Sequence, residues 1–474
     1  MADYPRDLVG YGRVPPLAKW PGEARIGVQF VINYEEGGER NILHGDATSE
    51  AFLSEIPGAE PWPGQRHMNM ESIYEYGARA GFWRLWRLFT EAGVPVTVFG
   101  VATALERNPE AVAAMLEAGW EIATHGLKWI DYRHVDADEE ARHIARAIAL
   151  QTELTGARPL GFYQGRSSVA TLDLGAAEQG FLYLSDAYAD DLPYWMAGQH
   201  GPQLIVPYTL DANDMRFAPG AGFTEGDQFF TYLKDSFDTL YEEGARHPKM
   251  LSIGLHCRLA GRPGRSAAVK RFLAYIARHE RVYTATRLAI ARHWIATNPP
   301  PGGYRPSRMP RALFVEVFGG VYEHSPHIAE AAHRAGLGPE HDHAEGLARA
   351  MAQAARALND EQSQALICAH PDLAGRLAAL GDLSPASGDE QASAGLDQLS
   401  EDERVSITAL NEAYRAKFAM PFVMAVRGQS KGEIMAAFKR RLGHTKAEEQ
   451  TQALAEIDKI ARLRLEAYFA GRSG

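Results

Sequence analysis

The sequence predicts an α/β fold, a distorted (β/α) barrel, followed by an all-α helical bundle. Over residues 1–297, short apolar runs alternate with amphipathic helical patterns, as expected of a parallel sheet covered by helices. Residues 298–311 are rich in proline and glycine, whereas residues 312–474 repeat alanine, leucine and charged residues at helical spacing without a strand pattern. We therefore predict two domains, 1–297 and 312–474, joined by a linker at 298–311.

Seven apolar runs, rich in β-branched and aromatic residues, predict strands in the first domain. Their number favours a distorted barrel over an open doubly wound sheet. The predicted strands occupy residues 25–34, 94–101, 120–125, 159–163, 181–186, 203–208 and 250–256. The predicted helices between them occupy residues 77–92, 102–118, 136–155 and 228–246. The first crossover lacks a GxGxxG motif, so a dinucleotide-binding site is not expected.

The composition excludes several classes of protein. The 474 residues include 49 Lys and Arg against 60 Asp and Glu, and this net charge of −11 argues against a nucleic-acid surface. Cys257 and Cys368 form no CxxC motif, so we expect neither a disulfide scaffold nor a thiolate metal site. No run of 18 apolar residues occurs. We expect a cytoplasmic protein that does not engage a membrane.

Candidate catalytic side chains follow the predicted strands of the first domain. Glu35 and Glu36 follow the first strand, His125 ends the third, Arg166 follows the fourth, and His256 ends the last. Further polar residues near strand ends are Asp186, Asp190, Asp191, Arg258, Arg262 and Arg265. Each residue alone is more often structural. Carboxylates, imidazoles and an arginine recur, however, at successive strand ends. This recurrence favours acid–base catalysis together with a binding site for an anion or carbonyl group.

Over most of its length, the first domain resembles the polysaccharide deacetylase-like family. That family carries an Asp-Asp pair after its first strand and a His-(Ser/Thr)-x-x-His metal motif after a later one. The resemblance aligns Glu35-Glu36 with the Asp pair, His125 with the first metal histidine and Trp129 with the second. Because tryptophan cannot ligate a metal and glutamate displaces the carboxylate, we predict a site without a metal or other cofactor.

Five long stretches resemble the metal-independent allantoinases of bacteria, a branch of that family. They are DYPRDLVGYG, FVINYEEGGERNILHGD, ATHGLKWIDY, GFYQGRSS and GLHCRLAGRPGR. This resemblance implies hydrolysis of the hydantoin ring of allantoin to give allantoate. We hypothesise that Glu36 or His125 is the general base and that His256 is the acid or stabilises the oxyanion. Arg166 and Glu35 would orient the ureide.

Trp129 is interpreted as a wall of this site rather than as a chemical group.

Four segments of the second domain interrupt its helical pattern with proline or glycine. They are FGGVYEHSPHIAE, CAHPDLAG, SGDEQASAGLDQL and KFAMPFVMAVRG. Loops between bundle helices explain such interruptions almost as well as a site does. Together the segments resemble the family of 2-oxo-4-hydroxy-4-carboxy-5-ureidoimidazoline (OHCU) decarboxylases, with His327 where that family usually has tryptophan.

This second resemblance implies that His370 is catalytic and that Glu390 assists it. It also implies ligand contacts from Pro371, Ser387, Gln391, Phe422, Val423, Met424, Ala425 and Val426. Decarboxylation leaves a ring that must be protonated from one face, and an imidazolium with a pKa near neutrality can deliver that proton. Arg427 would meet the substrate carboxylate; its alternative is a surface or helix-capping role.

The two resemblances predict consecutive reactions on one chain. The second domain would decarboxylate OHCU to (S)-allantoin, and the first would hydrolyse allantoin to allantoate. We therefore predict a bifunctional enzyme of urate degradation that binds small-molecule substrates and forms a homo-oligomer. The alternatives are a metal-dependent amide or N-acetyl hydrolase of carbohydrates and a non-catalytic ureide-binding protein.

Overall fold

The computed structural model of the chain describes residues 6–218, 220, 222–373 and 399–471. It separates into two units, Met1–Gly302 and Gly303–Gly474. Three predicted site residues, Ser387, Glu390 and Gln391, lie outside the described residues. No helix within the described ranges is long and apolar enough to cross a membrane.

A mixed nine-stranded sheet forms the centre of the first unit, with the order β6-β7-β5-β4-β3-β2-β1-β8 and β9 paired to β1. The strands are β1 (Ile26–Tyr34), β2 (Val96–Gly100), β3 (Glu121–Thr124), β4 (Gly161–Phe162), β5 (Tyr183–Leu184), β6 (Tyr194–Gly198), β7 (Gly201–Ile205), β8 (Lys249–His256) and β9 (Val282–Thr284). Only the β6–β7 pair is antiparallel among these strands. A parallel bridge between Asn213 and Gly254 returns the chain after β7 to β8, so the sheet curls into a distorted barrel.

Helices cover this sheet. They are α1 (Met68–Tyr76), α2 (Phe82–Ala92), α3 (Ala102–Arg107), α4 (Pro109–Glu117), α5 (Ala137–Thr155), α6 (Thr171–Ala177), α7 (Gly226–Glu243), α8 (Pro263–Ile276) and α9 (Arg287–Thr297). All nine residues of β1 are buried, as expected for a parallel strand with both faces covered. A π-helical turn, Gly77–Gly81, joins α1 to α2. A Cβ atom on Gly77 would overlap the Glu36 carboxylate, so this turn packs directly against the strand ends.

The predicted barrel is confirmed, and the differences from the predicted elements have local causes. The strands β6 and β9 were not predicted. The hairpin strand β6 is partly exposed and so lacks a continuous apolar run, and β9 spans only three residues. The predicted helix at 102–118 is broken at Asn108, whose side chain caps α4 while Pro109 begins it.

The second unit has helices and loops but no strand among its described residues, as predicted. Its helices are Arg311–Phe318, Pro326–Arg334, Ala344–Arg356, Asp360–Cys368, Glu401–Phe418, Lys431–Arg441 and Lys446–Ala470. The last two helices begin with capping boxes at Ser430 and Thr445. In each box the N-cap hydroxyl accepts from the backbone N–H of a glutamate three residues later, and the side chain of that glutamate accepts from the N-cap backbone N–H. Within the segment 298–311, Pro306–Arg308 form a 3-10 helix, and the backbone N–H and hydroxyl of Ser307 donate to Asp342.

Candidate active sites

The ends of β1, β3 and β8 bring together a buried carboxylate and two histidines. Parallel pairing of β1 with β8 sets Asn33 opposite His256, so Glu35 emerges beside that histidine. Glu35 Oε1 lies 3.3 Å from His256 Nε2 and 3.5 Å from His125 Nε2. The Glu35 side chain is fully buried. These three predicted residues therefore form one cluster.

Arg258 supplies the positive charge that balances Glu35. Its Nη1 lies 2.7 Å from Glu35 Oε2, both side chains are fully buried, and the guanidinium packs 4.3 Å from the Tyr74 ring centroid. Burial raises the pKa of Glu35, but Arg258 and His256 outweigh burial and hold the pKa well below its usual range. Glu35 is therefore a carboxylate anion.

Asp214 completes the cluster by holding His256. Asp214 Oδ1 lies 2.6 Å from His256 Nδ1, and Oδ2 accepts hydrogen bonds from the backbone N–H groups of His256 and Ala260 at 2.7 and 2.8 Å. Burial lowers the pKa of His256, but Glu35 and Asp214 raise it to about 9. His256 is therefore an imidazolium at neutral pH. Sequence reasoning missed Asp214, which follows no predicted strand directly and is placed by the Asn213–Gly254 bridge.

His125 is held by a backbone carbonyl and not by a carboxylate. Its Nδ1 lies 3.1 Å from the carbonyl oxygen of Tyr163, which can accept only from an N–H, so Nδ1 bears a proton. Nε2 is therefore the ring nitrogen that faces Glu35. Tyr163 and Phe99 pack against the ring with centroids at 5.0 and 6.1 Å.

Glu36 does not lie between the histidines, where Glu35 stands. Its Oε2 accepts from the Glu35 N–H at 3.1 Å and its Oε1 accepts from the Arg258 N–H at 3.2 Å, while Gly77 packs against the carboxylate. Burial raises the pKa of Glu36. Its hydrogen bonds thus serve the backbone of the site.

Arg166 and Trp129 form the side of the site next to His125. The Trp129 and His125 ring centroids are 4.8 Å apart. The Arg166 guanidinium lies 5.5 Å from the Trp129 ring and 4.8 Å from the Phe52 ring, and its Nη1 is 3.0 Å from Glu50 Oε2. Arg166 therefore ties the segment containing Glu50 and Phe52 to the site. Sequence reasoning missed this segment because no periodicity marks it.

The remaining strand-end candidates support the surrounding loops. Asp186 accepts from the N–H groups of Gln164 and Gly165 at 2.6 and 2.7 Å and shapes the turn that carries Arg166. Arg262 and Arg265 lie 3.5 and 2.7 Å from Glu55.

Several buried polar atoms of the cluster lack an aligned hydrogen-bond partner among the described residues. They are Glu35 Oε1 and Oε2, His125 Nε2, Trp129 Nε1, Gln164 Nε2, and Arg258 Nη1 and Nη2. Glu35 and Arg258 are close enough for an ion pair, yet their contact is not aligned as a hydrogen bond. Buried polar groups are normally satisfied. A cluster of buried polar atoms without hydrogen-bond partners is typical of a site that binds a polar ligand.

The donor set does not fit a divalent metal. Glu35 is paired with the Arg258 guanidinium, and Asp214 is paired with Nδ1 of His256. Trp129 offers only an N–H, which cannot ligate a metal. Within the described part of the chain, no group of three or more His, Cys, Asp or Glu is arranged to hold a metal ion.

His370 is the centre of the candidate site in the second unit. It is buried, follows the helix Asp360–Cys368, and places Nδ1 3.0 Å from the carbonyl oxygen of Leu366. Burial lowers its pKa to about 4, against the opposing effects of Leu366 and Glu323. The ring is therefore neutral at neutral pH, whereas the sequence argument assumed a pKa near neutrality. Desolvation of the buried ring is the reason.

A buried ion pair contributes to the electrostatics of His370. Glu323 Oε2 lies 2.9 Å from Arg464 Nη1, with side chains 3% and 8% exposed. Glu323 raises the pKa of His370 and Arg464 lowers it. Sequence reasoning assigned neither residue. Glu323 lies in the YEHSPHIAE segment, but nothing in that segment indicated a role for it. Arg464 lies in a helix with a regular amphipathic pattern, where arginine is usually exposed to solvent.

The segment from Phe422 to Val426 lies in the core of the second unit. Phe422 stacks on Phe438 with centroids 3.6 Å apart. The Val423 carbonyl accepts from Arg441 at 2.7 Å, and the Ala425 N–H donates to Glu456 at 3.0 Å.

Met424 is half-buried and Val426 is buried, and Pro371 follows His370 directly. Arg427 is exposed and donates to the Leu463 carbonyl at 3.4 Å, which agrees with its surface alternative.

Comparison with known proteins identifies relatives for each unit. Sequence models of two families match: polysaccharide deacetylase over residues 70–176 and OHCU decarboxylase over residues 307–466. A putative polysaccharide deacetylase of Schizosaccharomyces pombe is 43% identical over 317 residues, which cover 62% of this chain and 98% of the relative. A crystal structure of Puue allantoinase superposes with a TM-score of 0.62 and 58% identity, covering 62% of this chain and 99% of that structure.

A 2-oxo-4-hydroxy-4-carboxy-5-ureidoimidazoline decarboxylase of Haloferax volcanii is 40% identical over 164 residues. The match covers 35% of this chain and 94% of the relative. Each unit therefore has a nearly full-length relative of its own.

Proposed function

Because the chain belongs to the polysaccharide deacetylase family through its first unit and to the OHCU decarboxylase family through its second, we propose that it is a bifunctional enzyme of urate degradation. The second unit converts OHCU to (S)-allantoin, and the first hydrolyses allantoin to allantoate. The observation that carries the hydrolase assignment is the buried cluster of Glu35, His125 and His256 in a unit 58% identical to an allantoinase.

The cluster supports a division of labour in ring opening. His125 takes a proton from water at Nε2, and the Glu35 anion 3.5 Å away stabilises the resulting imidazolium. The water oxygen bonds to the ring carbonyl carbon, whose π electrons move to oxygen. The C–N bond then breaks as the carbonyl re-forms, and the departing nitrogen takes the proton that His256 holds.

Glu36 maintains the backbone of the site, and Arg166 with Trp129 borders the ureide.

In the second unit, His370 protonates the ring after carbon dioxide leaves. Its neutral ring gains a proton when the anionic substrate binds, because a nearby carboxylate raises the pKa of an imidazole. The C–C electron pair moves into the ring C=N system, and Nε2 then gives its proton to carbon. The hydroxyl on the carbon that lost carbon dioxide becomes the carbonyl of allantoin as its proton passes to the ring nitrogen. Glu390 assists His370, while Pro371, Ser387, Gln391 and the segment from Phe422 to Val426 contact the ligand.

We further propose that the chain works as a homo-oligomer in the cytoplasm. Both cysteines are free, Cys257 buried and Cys368 exposed, which suits a reducing compartment.

The test uses the full-length chain with each substrate in turn. OHCU, generated in the cuvette by oxidising urate, should give (S)-allantoin and then allantoate by NMR. Added allantoin should give allantoate, and prior treatment with a chelator should leave this rate unchanged. Failure to form allantoate would refute the hydrolase half. Loss of activity on chelation with recovery on adding Zn²⁺ would refute the metal-free mechanism.

A further inference from the structure

A buried indole N–H at the first site has no protein acceptor among the residues that the structure describes. Trp129 is only 5% exposed, and its Nε1 lacks a hydrogen-bond partner within those residues. Leaving a buried donor without an acceptor is unfavourable, because the donor has lost its hydrogen bonds to water. Such a donor is consistent with a site that provides for a ligand acceptor.

The indole is held in one orientation beside His125. The Trp129 backbone N–H donates to the Gly38 carbonyl at 2.7 Å, and a parallel bridge joins Trp129 to Glu39. On one side the ring packs so closely on Gly165 that a Cβ there would lie 3.2 Å from Cζ3. The His125 ring meets it at 4.8 Å with an interplanar angle of 62°. A fixed ring gives its N–H a fixed direction.

Ring opening requires a hydrogen-bond donor to the carbonyl oxygen, and the cations Arg258 and His256 are engaged elsewhere. Negative charge develops on the carbonyl oxygen as water adds to the carbon. The guanidinium of Arg258 is paired with Glu35, and the proton of His256 is required by the leaving nitrogen. A neutral donor is suitable for this oxygen because an indole keeps its N–H proton at any pH at which a protein imidazole titrates.

We propose that Trp129 is a catalytic residue whose indole N–H donates a hydrogen bond to the carbonyl oxygen of the allantoin ring under attack and stabilises the oxyanion. The inference deepens the proposed hydrolase function and depends on it. The oxygen gains an electron pair from the C=O bond as water adds and returns it when the C–N bond breaks. The N–H donates throughout and loses no proton.

The experiment removes the N–H while retaining an aromatic wall. Trp129→Phe should lower kcat for allantoin by about 10²–10³ and change KM little, because the donor acts mainly in the transition state. Replacing Trp129 with β-(3-benzothienyl)alanine, which has sulfur in place of N–H and nearly the same shape, should give the same loss. Trp86→Phe is the matched control, because the Trp86 N–H already donates to the Ala114 carbonyl at 3.0 Å.

OHCU decarboxylation and the melting temperature are measured on the same samples, so that misfolding is recognised. If kcat of the benzothienyl variant stays near that of the wild type, the indole is only a wall and the proposal is overturned, whatever Trp129→Phe does. A wild-type chain that leaves allantoin intact would overturn the hydrolase function and this inference with it. An active wild type with unaffected variants would overturn the inference alone.

Discussion

The two units use histidine in opposite charge states, although both imidazoles are buried. His256 lies between two carboxylates, Glu35 and Asp214, and its pKa rises to about 9. His370 donates to a neutral carbonyl, and Glu323, the carboxylate that raises its pKa, is paired with Arg464, so burial dominates and the pKa of His370 falls to about 4. The comparison shows that burial without a carboxylate on the ring makes a histidine neutral, and that carboxylates in direct contact with the ring keep it charged.

The largest effects should come from removing either imidazole. His256→Ala should lower allantoin turnover by about 10²–10⁴, the usual contribution of a positioned acid or base, and leave OHCU decarboxylation unchanged. His370→Ala should do the reverse. The two variants are each other's controls, and NMR with both substrates measures them. A single variant that abolished both reactions would contradict independent sites.

Removing one of the two carboxylates that charge His256 should lower its pKa towards that of His370. In Asp214→Asn, the pKa of His256 falls because the charge of one of the two carboxylates that raise it is lost, while Glu35 remains. Allantoin turnover should drop by about 10²-fold or more. The alkaline limb of its pH profile should move to lower pH. An unchanged alkaline limb would show that His256 is not the acid.

The buried ion pairs of the two units should be equally sensitive to the loss of one partner. Arg258→Met leaves Glu35 without its guanidinium, and Glu323→Gln leaves Arg464 without its carboxylate, so each should lower the free energy of unfolding by about 3–5 kcal/mol. Arg142→Met is the control, since its solvent-exposed pair with Glu139 should contribute little to stability. Urea denaturation measures all three. Equal losses in the three variants would contradict the role of burial.

The opposite pKa values also predict opposite pH dependence of stability. His256 contributes stability that is complete below pH 6.5, its unfolded pKa, and lost as the pH rises through about 9. His370 contributes nothing above pH 6.5, and protonation of the unfolded chain destabilises the second unit as the pH falls towards 4. Calorimetry of the full chain across this range should show two transitions with opposite trends. His256→Gln and His370→Gln should each remove one trend.

The smallest effect is expected at Arg427. Because its side chain is exposed and bonds a helix carbonyl, Arg427→Ala should leave both activities near those of the wild type. A large rise in KM for OHCU would instead show that Arg427 binds the substrate carboxylate, as the sequence suggested.

Much of the architecture could be predicted because it depends on local pattern. The alternation of apolar runs and amphipathic helices indicated the barrel, and the three- and four-residue spacing after it indicated the bundle. Strand ends also identified His125, His256 and Glu35, because parallel strands carry their functional side chains to one edge. That the site works without a metal stays a prediction, which depends on Trp129 because an indole is not a ligand.

The amino-acid sequence establishes which side chains are present at each strand end and which chemistry they can perform. Their pairing comes from the fold, which places Glu35 rather than Glu36 between the histidines, Asp214 behind His256, and Glu323 with Arg464 near His370. This is so because pKa values, ion pairs and unsatisfied donors depend on separations of a few ångströms between residues far apart in the chain. Those separations are set by register and packing, which no local pattern contains.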